Sequence, residues 1–144
     1  MSIRKIVAFR LGEEEYGLDI QHVQSIEKIQ HITRVPNAPI YVEGVMNLRG
    51  NVTPIVDLRR KLQLDSLGHS ENTRVIITES DDLVIGFIVD QISDVIDIQE
   101  EFIEGTEAIS TSEISSNFFD GIAKTAGRLV ILLKMEELAK TAKN

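Results

Sequence analysis

The chain has 144 residues, 42 % of them apolar and 26 % charged, with no cysteine and no tryptophan. That length suits one ordinary domain or two very small ones, and the missing cysteines exclude disulfides, thiolate metal sites and cysteine nucleophiles. The formal charge of −8 is gathered in residues 73–144, with fourteen Asp/Glu against six Lys/Arg, while residues 1–72 carry nine of each; this argues against nucleic acid, because phosphate neutralisation needs clustered Lys and Arg.

In chain order, Ile3–Leu11 is mainly apolar and β-rich, which predicts a first strand. The run "GEEE" turns the chain, and Tyr16–Ile20 returns as a second strand. From Ile20 the apolar positions step by three through Val23, Ile26 and Ile29, predicting a short helical turn before or within the next extended piece. Pro36 and Pro39 mark a loop. Val45–Arg49 and Val52–Leu58 read as a hairpin around Gly50-Asn51, a two-residue turn with positive φ at glycine. Pro54 has no amide proton to give to a ladder, so its strand reads as an edge. Arg74–Thr78, Leu83–Val89, Asp94–Ile98, Gly121–Ala123 and Arg128–Lys134 supply a second set of strands, and Met135–Thr141 a short amphipathic tail helix. Long β–α–β alternation is missing and the strands are short with tight turns, so the expected fold class is all-β, built as antiparallel barrels. The first residues lack the apolar stretch of a signal peptide, and no run reaches the ~20 apolar residues of a membrane helix, so a soluble intracellular protein is expected.

The chain also echoes itself. A shift of 69 places Gly17 on Gly86, Val7 on Ile76, Val23 on Ile92, Ile26 on Val95 and Ile29 on Ile98. A shift of 77 places Gly44 on Gly121, Gly50 on Gly127 and Ile55 on Leu132, so the second copy carries about eight extra residues between Ile98 and Gly121. The echo implies two β modules of about 60–70 residues, approximately 6–64 and 74–138, each too small to be secure alone and so expected to pack together.

Sites of chemistry are scarce. The histidines are His22, His31 and His69, with no nucleophile elbow and no paired-His metal spacing. Gly44 and Gly50 lack the Lys-Ser/Thr of a phosphate loop. Carboxylate pairs fall in predicted turns, and seven aromatics in all make a sugar-stacking cleft improbable. Arg49 at the hairpin tip reads either as a solvated turn residue or as a guanidinium reaching a partner carboxylate. Val23, Ile26, Ile92 and Val95 read either as core or as the walls of a groove able to take an amphipathic helix. A small hydrolase or ligand-binding barrel is the competing reading, and it requires a deep pocket with converging polar groups.

"VEGVMNLRGNVTPIVDLRRKL" (Val42–Leu62) closely resembles the signature of CheW-like domains, "EEYGLDIQHVQSI" (Glu14–Ile26) resembles the segment upstream of it, and "GFIVDQISDVIDI" (Gly86–Ile98) its second-half counterpart. The match runs from about Ile6 to Leu138. The resemblance implies a bacterial or archaeal chemotaxis adaptor: two packed five-stranded barrels, with strand exchange between them possible, and no catalysis or cofactor. Such an adaptor bridges the cytoplasmic tip of a methyl-accepting chemoreceptor to the regulatory domain of the histidine kinase CheA. It also implies a cytoplasmic protein recruited to membrane-associated receptor arrays. Carried over by position, Val23, Ile26, Arg49, Ile92 and Val95 face the receptor. Ile32, Thr33, Glu43 and Gly44 face the kinase from the first barrel. The added loop, with Ile103 and Ile109, is assigned to a second-barrel kinase contact. Relatives often carry an acid where Ser25 stands; the nearest acid here is Glu27.

Overall fold

A computed structural model describes residues 2–105 and 116–140. Twelve strands run in chain order: β1 (Ile3–Leu11), β2 (Glu14–Asp19), β3 (Val23–Lys28), β4 (Ile32–Thr33), β5 (Val42–Leu48), β6 (Asn51–Asp57), β7 (Arg74–Ser80), β8 (Leu83–Val89), β9 (Gln91–Gln99), β10 (Ile103–Glu104), β11 (Phe119–Thr125) and β12 (Arg128–Leu133). The helices α1 (Leu58–Lys61) and α2 (Met135–Ala139) are each little more than one turn. The all-β class expected from the short strands and tight turns is the class observed.

The strands form two sheets. A terminal sheet, holding both ends of the described chain, has the order β10-β11-β12-β2-β1-β9; a central sheet has the order β4-β5-β6-β8-β7-β3. The sheets do not follow residues 6–64 and 74–138: β1 and β2 leave the first half of the chain to pair with strands of the second. Each sheet has six strands rather than five, because the two-residue β4 and β10 add themselves to β5 and β11. Strands so short leave no periodic signal in a sequence.

The two sheets match strand for strand, and the internal repeat is visible in their registers. β12 runs parallel to β2 with Leu132 opposite Gly17, and β6 runs parallel to β8 with Ile55 opposite Gly86. Both glycines are packing devices: a Cβ on Gly17 meets Ile6 Cγ2 at 2.4 Å, and one on Gly86 meets Ile55 Cδ1 and Val75 Cγ1 at 2.7 Å. Each sheet curls about its own small core. Ile6, Ile98, Ala123, Val130 and Leu132 fill the terminal one, and Met46, Leu48, Ile55, Val75, Ile77 and Ile88 the central one. A larger shared core joins the two, with Phe9, Leu11, Leu18 and Leu133 from the terminal sheet and Val56, Ile76, Ile85 and Phe87 from the central sheet. Lys61 of α1 reaches into this junction, its Nζ 4.3 Å from the Tyr41 ring centroid and 4.8 Å from that of Phe118, two residues that the 77 shift superimposes. Burial pushes its amine below the usual lysine range.

Several local expectations are refined. The steps of three after Ile20 resolve into one 3₁₀ turn, Ile20–His22, capped by Asp19 Oδ1 accepting from Gln21 N at 3.1 Å, and then the strand β3. The first hairpin turns at Arg49-Gly50, one residue earlier than Gly50-Asn51, with Leu48 paired to Asn51. Both turn residues take positive φ, 51° and 87°, which is the geometry whose twist suits a two-residue hairpin. The second hairpin repeats it at Ala126 and Gly127, with φ of 49° and 78°. β6 is an internal strand, not an edge. Its pairing to β8 begins only at Ile55, so Pro54 lies in a stretch that pairs with β5 alone and its missing donor costs no ladder bond on the β8 side.

Candidate functional site

The candidate residues on the edge strands β3 and β9 occupy equivalent positions in the two sheets. Val23 pairs with Thr78 and Ile26 with Ile76; in the other copy Ile92 pairs with Phe9 and Val95 with Val7. A β-bulge falls at Gln24 in one strand and at Ser93 in the other. Val23 and Ile92 are half-buried and pack against the shared core. Ile26 and Val95 stand out from the surface, 40 % and 51 % exposed. The two readings of these four positions therefore divide: the first of each pair is largely core, the second is surface.

Arg49 sits at the hairpin tip in a left-handed conformation that costs a non-glycine residue about 1 kcal/mol. Asn47 Oδ1 accepts from Gly50 N at 3.0 Å and steadies the turn. The Arg49 guanidinium is 67 % exposed and donates to Glu27 Oε2 at 3.2 Å. The Ser25 hydroxyl and the Arg49 guanidinium beside it hold the Glu27 carboxyl below the usual carboxylate range. Below the hairpin, where β6 and β8 splay before their pairing begins, lies an open cleft of about 610 Å³ lined by Gln24, Leu48, Arg49, Val52, Pro54 and Leu83, among others.

The same place in the terminal sheet is closed differently. Arg128, at the position equivalent to Asn51, donates from Nη2 to Glu15 Oε1 at 2.6 Å and to Asp94 Oδ1 at 2.8 Å. The Arg128 guanidinium holds both carboxyls below their usual range. A carboxyl lowered by folding adds stability above its unfolded value of about 4, and that stability is lost as pH falls toward the lower folded value. The melting temperature of the natural chain should therefore drop more steeply below about pH 4 than that of an Arg128→Ala variant; parallel thermal profiles across the acid range contradict the assignment. Sequence reasoning missed this triad, although the 77 shift placed an arginine on Asn51.

The second group lies on β4, one edge of the central sheet, and on its neighbour β5. β4 pairs Ile32 with Met46 and Thr33 with Val45. A Cβ on Gly44 meets Thr33 O at 2.2 Å and Ile32 Cγ2 at 2.8 Å, so only glycine lets β4 lie this close to β5. Glu43 points to the 62–73 loop, with His69 Nε2 at 3.3 Å from its Oε2. Val35 and Ile40, exposed at 44 % and 76 %, flank this edge. Ile103 takes the equivalent position on β10, where its Cγ2 lies 2.9 Å from a Cβ placed on Gly121, and Phe102 beside it is 55 % exposed. Ile109 lies outside the described residues.

Among the described residues no group of three His, Cys, Asp or Glu is arranged to hold a metal ion. His22 lines an open, mostly polar cleft of about 290 Å³ with Arg4, Asp19, Gln21 and Lys134, and His31 is exposed. No helix among the described residues is long and apolar enough to cross a membrane.

Fold and surface together define a β-rich module with a duplicated framework and several exposed apolar side chains. A family model described as "CheW-like domain" matches residues 5–143. The chain is 36 % identical over 135 residues to a chemotaxis protein CheW of Klebsiella aerogenes, covering 94 % of this chain and 81 % of that one. It is 44 % identical over 100 residues to that of Bacillus subtilis, covering 69 % and 64 %. The solved scaffolding protein TtCheW from Thermoanaerobacter tengcongensis superposes with a TM-score of 0.86 at 39 % identity, covering 93 % of this chain and 90 % of that one. The chain belongs to the CheW-like family.

Proposed function

We propose that this protein is a non-enzymatic adaptor in chemotaxis signalling, which couples the cytoplasmic tip of methyl-accepting chemoreceptors to the regulatory domain of the histidine kinase CheA. Family membership supports the pathway. The observation that carries the docking assignment is the contrast between two arginines: Arg128 has two N–H edges of its guanidinium taken by Glu15 and Asp94, whereas Arg49 meets a single carboxylate among the described residues and is largely exposed. A guanidinium with donors to spare at a hairpin tip suits a partner carboxylate. Ile26 and Val95 add aliphatic surface of the kind an amphipathic receptor helix buries, with Val23 and Ile92 as their anchors. Ile32 and Thr33 lie on the edge strand β4, with Glu43 and Gly44 behind them on β5, and such an edge suits pairing with another β domain such as the kinase regulatory domain; Ile103 occupies the matching edge of the other sheet, and Ile109 follows it in sequence. The protein acts in the cytoplasm and joins the membrane array through these partners.

Such an adaptor works by linkage: receptor and kinase influence each other only through differential contacts at the bridge. Binding of the purified chain to an isolated CheA regulatory domain and to a receptor-tip fragment, separately and together, tests the reading. Two independent sites and a ternary complex are expected. Mutual exclusion of the two partners, or binding of neither, contradicts it.

A further inference from the structure

The edge strand β9 reaches the surface past a bulge in its pairing to β1. Ile92 is anchored against the shared core, the bulge at Ser93 interrupts the pairing to β1, and Val95 emerges two residues later. A bulge breaks the ladder locally and swings the strand; beyond it the pairing to β1 resumes, with Asp94 opposite Ala8 and Val95 opposite Val7, but only along one side of β9, which is the edge of its sheet. Asp94 adds a side-chain attachment to that one-sided ladder. It lies directly after the bulge and directly before Val95, and because successive side chains take opposite faces, fixing the direction of Asp94 fixes that of Val95.

Arg128 supplies the grip. Its Nη1 and Nη2 donate to Asp94 at 3.0 and 2.8 Å, and its Nε and Nη2 to Glu15 at 3.1 and 2.6 Å. β12 and β9 are separated in the sheet by β2 and β1, so a single guanidinium spans the mouth of the curled sheet. In the central sheet the three equivalent positions are Asn51, Val84 and Ser25, none of them charged. There the bulge residue Gln24 donates to Glu79 at 2.6 Å, and the exposed Arg49–Glu27 pair lies beyond it.

We propose that Arg128 is a positioning residue for the receptor-facing surface: by gripping Asp94 and Glu15 it sets the segment of β9 after its bulge and holds Val95 in place for docking. This rests on the reading of β3 and β9 as the receptor face. Arg128 acts through β9 and needs no contact with the partner.

The test uses the full chain with methyl-labelled valine and isoleucine, the variants Arg128→Ala, Arg128→Lys and Asp94→Asn, and a chemoreceptor tip fragment as the probe. In Arg128→Ala the Val95 methyl signals shift and broaden while those of Ile26 stay in place, and affinity for the tip falls roughly tenfold, the scale of misplacing one well-set anchor in an interface. Asp94→Asn, nearly isosteric, gives the same pattern in milder form, and Arg128→Lys restores part of the affinity. Val95 signals that remain unchanged in both Arg128→Ala and Asp94→Asn overturn the proposal, as does movement of Ile26 together with Val95, which marks a general loss of stability. Tip affinity unchanged despite a displaced Val95 also overturns it. If the natural chain does not bind the tip, the receptor reading fails, and the Val95 signals still decide what Arg128 holds.

Discussion

Phe87→Ala costs about 3–5 kcal/mol and lowers the melting of the whole chain in a single transition. Phe87 is fully buried on β8, in the core built from both sheets. Removing its ring takes out the transfer free energy of a large side chain and leaves a cavity that the surrounding strands cannot collapse into. A domain of this size has about 5–15 kcal/mol of stability in total, so the variant retains a fraction of it and melts about 10 °C or more lower. The transition stays single because neither sheet has an adequate core alone. Among the described residues the terminal sheet keeps five buried apolar residues to itself and the central sheet six, against sixteen in the shared core. Calorimetry checks this: two resolved transitions, with only one moved by the substitution, contradict a jointly stabilised pair.

Arg49→Ala is expected to weaken receptor-tip binding by roughly ten- to a hundredfold, the range for losing a charge-assisted hydrogen bond, while affinity for the kinase domain stays within about twofold. The fold should be little affected. The guanidinium is largely exposed, its one pair with Glu27 is a surface ion pair, and such pairs contribute about 0–1 kcal/mol. Replacing Arg49 by alanine keeps a side chain that the turn accepts, because Ala126 holds the same left-handed position in the second hairpin, with φ of 49°. Titration calorimetry with each partner separates the outcomes. Equal loss for both partners points to a folding defect, and no loss for either removes Arg49 from the docking surface.

The duplicated framework was legible because its markers are local. Gly17, Gly44, Gly50 and their counterparts mark places where backbones meet or turns invert, and no other residue type fits there easily, so their spacing survives in the sequence. The aliphatic positions between them alternate as strands do. The partners of each strand were not legible: β1 pairs with β9, some 90 residues away, and which sheet a strand joins is decided by packing, not by its own residues. The hairpin was displaced by one residue because Gly-Asn looks like a turn pair, whereas the register puts Asn51 opposite Leu48 and forces Arg49 into a conformation arginine seldom adopts. Pro54 misled for a related reason: a strand can be internal as a whole and an edge where its proline stands. Of the candidate surface, Ile26 and Val95 could be matched through the repeat, and Arg49 could be named from its place at the hairpin. The acids that Arg128 grips could not. Glu15 and Asp94 are 113 and 34 residues from Arg128, and only the curl of the sheet brings them together.

The adaptor reading is tested most directly by reconstitution. Membranes carrying a chemoreceptor are mixed with CheA, with and without this chain, and kinase autophosphorylation is followed before and after attractant is added. The kinase is predicted to sediment with the membranes and to respond to attractant only when the chain is present. Attractant control that persists undiminished without it contradicts the account.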